Sequence, residues 1–283
     1  MLPMGLSMLW EQVEAEPALR ERFGFEGFEA VAEWVPGVLA EVWGIEATGC
    51  RRMVISGPNA ILWVDSDRGP LVVKWSVVPE LFAVLEASAR LLRVLDERGV
   101  PVAAPLRALD GRERAVVDGP IGALSVGVLP EVTGDWLDIE NDEAVFAAGA
   151  CLAQLHVALT GYEDDRLPTS NPRDATDLPP GLPPLDAAKQ LVHNDFRAAN
   201  LLTQGAKVVG VLDFDDLGWG HRVEDLARAG VYLGTLFTGW KATPSAVRRT
   251  LRAGYESVLP LSPAESQWYD VLTEWHAVRS GLR

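Results

Sequence analysis

Leu191–Leu202 reads Leu-Val-His-Asn-Asp-Phe-Arg-Ala-Ala-Asn-Leu-Leu, and after a polar turn the chain runs on as Val208-Val209-Gly210-Val211-Leu212-Asp213-Phe214-Asp215-Asp216. His193, Asp195, Asn200 and Asp213 therefore fall within twenty-one residues. The polar Thr203-Gln204-Gly205-Ala206-Lys207 between two apolar runs predicts that Leu201-Leu202 and Lys207–Phe214 pair as a short hairpin. That fold-back brings Asp213 beside Asn200 and leaves Asp195 at the mouth of the same hollow. An Asn and an Asp offer the hard oxygens that suit Mg2+, while a separate carboxylate five residues before the Asn can accept a proton from a hydroxyl. A single Asp at a strand end is as often a turn cap or an Arg partner. The ordered set of four is what points to phosphoryl transfer.

The chain has 283 residues, 48% of them hydrophobic, enough for a sizeable core and for one large domain or two lobes. Its 25 basic and 40 acidic residues give a net charge of −15, which argues against a nucleic-acid backbone as partner and favours cationic ligands. Scattered acidic residues also simply keep a surface soluble. No apolar run approaches the ~20 residues of a membrane span. Met1-Leu2-Pro3-Met4-Gly5 carries no basic leader, so a cytoplasmic protein without a membrane partner is expected. Cys50 and Cys151 have no CxxC or His partner nearby, which supports neither a disulfide framework nor a zinc site. Lys is scarce, and Lys74 is the sole one in the first 188 residues, placed inside an apolar run.

Residues 7–43 carry helical spacing, interrupted at Gly24–Gly27. From Arg51 the period shortens to that of strands: Met53–Ile55, Ala60–Val64 and Leu71–Trp75, joined by turns at Ser56-Gly57-Pro58-Asn59 and Asp65–Pro70. The first turn is either a plain hairpin or a loop whose N–H groups at Ser56 and Gly57 cover phosphates. Pro79–Glu97 reads as a helix with Glu86 near its middle, twelve residues after Lys74, where it pairs either with that Lys or with Arg90 at i+4. Two more strands are expected at Arg114–Val117 and Ala123–Leu129, making a sheet of about five. The break Leu129–Asp135 is the lobe boundary, giving an N-terminal lobe 1–131 and a C-terminal lobe 132–283 with a ligand cleft expected between them. Glu143–Leu159 is a strong helix with His156 near its end, read as a core or capping His. The Pro-rich 161–185, including Pro172, reads as a surface connection, and helices are expected over Val231–Phe237, Pro244–Val258 and Pro263–Leu282. Asp225, near a helix start, is either a cap or an acceptor that holds the 193–200 loop.

An N-terminal lobe of strands with Lys74 and Glu86, the break at Pro130–Gly134, and then His193-x-Asp195-x4-Asn200 and Asp213 resemble the aminoglycoside phosphotransferase-like family. Leu152-Ala153-Gln154-Leu155-His156 and Glu224-Asp225-Leu226-Ala227 add to the likeness, which extends from about Ile55 to Ala227. The resemblance implies an α+β, bilobal protein-kinase-like fold: an antiparallel sheet lobe with a helix, then a mainly helical lobe. It implies that Asp195 orients and deprotonates the acceptor hydroxyl and that Asn200 and Asp213 hold Mg2+ on the phosphates of ATP, with GTP as an alternative. It further implies that Lys74 contacts the α- and β-phosphates with Glu86 steadying it, that backbone groups of Pro130 and Val132 contact adenine, and that His193 braces the loop. Asn194 stands where the family usually has Gly, and the connection from His156 to His193 is short for the family.

The expected function is ATP- and Mg2+-dependent phosphorylation of a hydroxyl on a small, cationic molecule such as an antibiotic. Asp215, Asp216, Glu224 and Glu274 are candidates to receive its amines, and Trp219 to stack on it. Alternatives are a metabolite kinase of the choline, homoserine, thiamine or sugar type, and a nucleotide-binding regulatory protein without turnover. Oligomeric state is left open. The chain lacks the Asp-Phe-Gly and Ala-Pro-Glu sequences that mark protein kinases.

Overall fold

The computed structural model describes residues 5–170, 178–238, 240, 242–279 and 281. They form two compact units, one made of the chain up to Arg93 with Ala103–Glu131, the other of Val94–Val102 with the chain from Val132 onward.

The first unit is built on a six-stranded sheet. Its strands are β1 (Gly5–Met8), then, after helices α1 (Ala15–Phe23) and α2 (Phe28–Val38), β2 (Ala47–Ser56), β3 (Asn59–Ser66) and β4 (Gly69–Ser76). Helix α3 (Phe82–Glu97) precedes β5 (Ala115–Gly119) and β6 (Gly122–Pro130), and the order across the sheet is β1-β2-β3-β4-β6-β5. The antiparallel core of five strands matches the sequence reading. The sixth strand departs from it: Gly5–Met8 pairs in parallel with β2, Gly5 opposite Arg52 and Met8 opposite Ile55, so the sheet is mixed rather than antiparallel throughout. Four residues are too few for their alternation to stand out against the helical period that follows.

Alternation along the strands sets the core. Met53, Ile55, Leu62, Val64, Leu71, Val73 and Trp75 are buried and pack with Leu19, Phe23, Val31, Val35 and Leu39 from the N-terminal helices. Trp75 lies edge-on to Phe23 and Trp34, with ring centroids 6.1 and 6.2 Å away. Such aromatic pairs add to the burial term that lets helices read as a preface close over one sheet face.

The second unit holds β7 (Asp135–Trp136), α4 (Asp142–Leu159), β8 (Gln190–Val192), β9 (Leu201–Gln204), β10 (Lys207–Val211), β11 (Gly218–Gly220), α5 (Arg222–Tyr232), α6 (Ser245–Glu256) and α7 (Pro263–Arg279). Asn141 caps α4, its Oδ1 accepting the Ala144 N–H at 3.1 Å. By length and apolar composition α4 passes for a membrane span, but 61% of it is buried inside the protein. The expected 201–214 hairpin forms as β9 against β10, with Val211 opposite Leu201, and β7 adds a third strand. β8 pairs separately with β11, Leu191 opposite Trp219. The segment 193–200 is thus anchored by one small sheet before it and another after it.

One sequence expectation is corrected here and another falls partly outside the described residues. The helix expected over Val231–Phe237 ends at Tyr232, because the following carbonyls leave the helix to accept the Ala198 and Ala199 N–H groups, Leu233 O at 2.8 Å and Thr235 O at 3.4 Å. Of the Pro-rich connection, residues 171–177, and with them Pro172, lie outside the described residues.

α4 and α6 pack backbone to backbone. A Cβ built on Gly149 would stand 2.0 Å from Leu251 O, and one built on Gly254 would stand 2.0 Å from Phe146 O. Gly149→Ala is therefore expected to lower unfolding free energy by about 2–3 kcal/mol, since backbone rather than a flexible side chain must move. A urea midpoint equal to that of the parent protein would show that the helices separate without cost.

Candidate active site

Within the second unit, the 193–200 loop is organised by the carboxylate of Asp225, which is 1% exposed. One oxygen accepts the backbone N–H of Asn194 at 2.9 Å, and the other accepts the His193 N–H at 2.9 Å and faces His156 Nε2 at 3.0 Å. Because a carboxylate only accepts, His156 donates from Nε2, and its Nδ1 receives the Tyr255 hydroxyl at 2.8 Å. Burial alone would raise the Asp225 carboxyl, yet the hydrogen bonds from His156 and the His193 backbone N–H hold it below the ordinary carboxylate value. His156 is the fully buried core histidine the sequence suggested, and Asp225 holds the loop rather than capping α5.

His193 carries the restraint forward. Its Nδ1 accepts the Asp195 backbone N–H at 3.2 Å, which selects the tautomer with hydrogen on Nε2, and that N–H donates to Leu212 O at 3.1 Å. The Leu212 N–H in turn donates to Asn200 O at 2.8 Å. Leu212 is held from both sides, so Asp213 follows the loop directly, as the hairpin reading expected. Asp213 has φ 62° and Asn194 φ 65°, the two non-glycine residues of positive φ among the described residues. Asn and Asp enter this left-handed region more readily than other side chains. Asn194, in the place of a Gly, also donates from Nδ2 to Asp216 O at 2.9 Å.

Asp195 sits at the end of this chain of contacts, partly buried. Its Oδ2 accepts Asn200 Nδ2 at 2.7 Å, and its Oδ1 accepts Arg197 Nε at 2.9 Å. Each oxygen keeps a further lone pair for a hydroxyl. Asn200 Nδ2 also donates to Asp195 O at 2.8 Å. With its amide nitrogen committed to Asp195, Asn200 turns its Oδ1 away, so a hard oxygen and the exposed Asp213 carboxylate suit a divalent cation that completes its shell with phosphate oxygens and water. Among the described residues no group of three or more His, Cys, Asp or Glu could hold a metal without such outside ligands.

The remaining expected positions are distributed differently. In the first unit Lys74 lies on β4 opposite Gly127, three residues along from Leu71, which is opposite Pro130. The Glu86 carboxylate accepts the Arg114 backbone N–H at 3.1 Å. Arg114, unremarked in the sequence, is buried and donates to Ser125 O at 2.6 Å and to Lys74 O at 3.4 Å, so a guanidinium braces the strand beneath Lys74. At the first hairpin Ser56 is opposite Asn59, leaving Gly57, with φ 55°, and Pro58 as the turn. Pro58 has no N–H. The Gly57 N–H donates to Glu11 Oε2 at 3.1 Å, and Ser56 Oγ accepts Trp10 Nε1 at 3.1 Å. The Gly57 N–H is thus already taken by the carboxylate of Glu11, which the Arg22 hydrogen bond chiefly keeps below its ordinary range. Val132 belongs to the second unit, its side chain beside Gly210.

The hollow at Asp195 has a volume of about 70 Å³ and is lined by Asn194, Asp195, Phe196, Arg197, Arg228, Ala229, Tyr232 and Trp240. None of Asp215, Asp216, Trp219, Glu224 or Glu274 lines it. Glu224 is engaged as a cap, accepting the His221 N–H at 2.7 Å. Arg228 escaped the sequence reading, although Asp225, Arg228, Ala229 and Tyr232 fall at i, i+3, i+4 and i+7 of one helix face.

Replacing Asp225 by Asn supplies one acceptor where two backbone N–H groups and His156 need two. A loss of about 3 kcal/mol is expected, with faster hydrogen exchange at the His193 and Asn194 amides than elsewhere in the unit. Unaltered protection of those two amides would mean that the loop is held by other contacts.

Residues 162–265 match the model of the Phosphotransferase enzyme family. Over 209 residues the chain is 28% identical to a homoserine kinase of Neisseria meningitidis, a match covering 63% of this chain and 64% of that protein. Among solved structures, an amicoumacin kinase in complex with AMP-PNP, Ca2+ and Ami is 17% identical, with a TM-score of 0.68 over 94% of this chain and 87% of the other. A macrolide 2'-phosphotransferase of Brachybacterium faecium is 15% identical, with a TM-score of 0.61 over 88% and 93%. A microcompartment-associated aminopropanol kinase is 18% identical, with a TM-score of 0.52 over 88% and 98%. The resemblance read from the sequence and the α+β kinase-like fold are borne out.

Proposed function

We propose, from this likeness to the phosphotransferase enzyme family, that the chain is a small-molecule kinase that moves the γ-phosphoryl group of ATP to an alcohol. The observation that carries the reading is the geometry of Asp195. Its carboxylate is fixed by Asn200 and Arg197, and Asn200 is tied through Leu212 to Asp213. A general base and two oxygen ligands are thereby held in one rigid loop, which a merely nucleotide-binding protein does not need.

In this mechanism Asp195 hydrogen-bonds the acceptor hydroxyl and takes its proton as the hydroxyl oxygen attacks the γ-phosphorus. The bond from that phosphorus to the β,γ-bridging oxygen breaks, and ADP leaves with the electron pair. Asn200 Oδ1 and Asp213 would hold Mg2+, which would supply charge neutralisation on the phosphates. Lys74 is assigned to the α- and β-phosphates by the resemblance. The nucleotide reading is supported by the AMP-PNP in the amicoumacin kinase structure. The antibiotic reading rests on that structure and on the macrolide 2'-phosphotransferase, and the metabolite reading on the homoserine and aminopropanol kinases.

Asp195→Asn is expected to lower phosphoryl transfer by about 10²–10⁴-fold while leaving ATP affinity within a factor of a few. Asp213→Asn is expected instead to weaken nucleotide binding when Mg2+ is present and to leave metal-free binding alone. Calorimetric titration of ATP with and without Mg2+, beside a phosphate-transfer assay, separates the two. Full turnover by Asp195→Asn would remove Asp195 as the base.

A further inference from the structure

Among the described residues none from α6 lines the hollow at Asp195, yet one side chain of this helix ends on the network that shapes the 193–200 loop. α6 lies backbone to backbone against α4, and a Cβ built on Gly149 would stand 2.8 Å from Tyr255 N. His156 follows two turns beyond Gly149 on the same face of α4. Tyr255 is fully buried, with its ring centroid 5.6 Å from that of His156 and its hydroxyl 2.8 Å from His156 Nδ1. Two features make this hydroxyl a donor. Burial pushes its pKa up from the ordinary phenol value, so the proton stays on the oxygen. The Arg222 guanidinium, held by Glu265 at 2.6 and 2.8 Å, lies beside the same oxygen and only donates, which leaves the O–H for His156.

From His156 the hydrogen bonds continue without a break. His156 Nε2 donates to Asp225 Oδ2 at 3.0 Å, the same oxygen receives the His193 N–H at 2.9 Å, and His193 Nδ1 receives the Asp195 N–H at 3.2 Å. We infer that Tyr255 is a positioning residue for Asp195: its hydroxyl fixes the His156 ring against Asp225 and so holds the 193–195 backbone in the conformation that aims the base. The role of Asp195 as a base rests on the kinase reading, whereas the tie from Tyr255 to the loop rests on geometry alone. Without the hydroxyl, Nδ1 becomes a buried acceptor that has lost its donor. A ring that turns to find another draws its Nε2 donor away from Asp225.

Tyr255→Phe keeps the ring and its packing and removes the hydroxyl alone. Nitrogen-15 spectra of the full chain are expected to show His156 bare at Nδ1 and protonated at Nε2, with the Nδ1 resonance moving in the variant. Hydrogen exchange in the variant is expected to speed at the His193 and Asn194 amides by about tenfold more than at amides of α7, the scale of one lost hydrogen bond. Phosphate transfer from ATP with Mg2+ present is followed with L-homoserine, aminopropanol and amicoumacin as trial acceptors. There kcat is expected to fall about tenfold with KM for ATP held within about twofold, because aim rather than binding is lost. A parent ring protonated at Nδ1 would overturn the inference, as would exchange that is unchanged at the two amides or rises equally throughout the unit. Parent-like kcat in an active chain sinks this inference and leaves the kinase reading standing, since Tyr255 then only packs α6 on α4. Selective loosening of the two amides, with no transfer by the parent protein to any of the three acceptors, supports the tie to the loop and counts against the kinase reading.

Discussion

The buried carboxylate of Asp225 is the constraint on which the second unit's chemistry depends. Taking an ionised carboxylate out of water costs several kcal/mol unless its lone pairs are filled. Here two successive backbone N–H groups and an imidazole N–H fill them. The arrangement works in both directions. The carboxylate is tolerable because the loop supplies donors, and the loop has one shape because the carboxylate demands those donors at fixed positions. Placing the His193 and Asn194 N–H groups on the two oxygens of one carboxylate turns the backbone sharply, consistent with the left-handed conformation of Asn194.

From there the order passes outward by single hydrogen bonds. His193 receives the Asp195 N–H on one ring nitrogen and donates from the other to Leu212, so one side chain sets the spacing between the two arms of the site. Phe214, with its ring centroid 4.6 Å from that of His193, closes the apolar side and limits rotation of the imidazole. Two residues in sparsely populated backbone conformations, Asn194 and Asp213, bracket the loop and the end of the hairpin. Each costs on the order of 1 kcal/mol or more, which persists only where surrounding contacts over-determine it. The contacts that do so here converge on Asp195, Asn200 and Asp213, the same three side chains to which the proposed mechanism assigns roles.

Legibility from sequence followed the range of the signal. The 201–211 hairpin, α4 and the five antiparallel strands are written in local periodicity and turn residues, and they were readable. The strand at Gly5–Met8 was not, because it exists only through its pairing with β2 more than forty residues later. Partner choice was read less well than position. Glu86 is legible as a helix residue, but that its carboxylate accepts the Arg114 N–H depends on how α3 meets the start of β5, which spacing does not encode. The turn at Gly57 reads from sequence either as a plain hairpin or as a phosphate-covering loop. The Gly57 N–H is taken by Glu11, a residue whose sequence gives no hint of it. Asp225 was narrowed to two roles, and the fold chose between them.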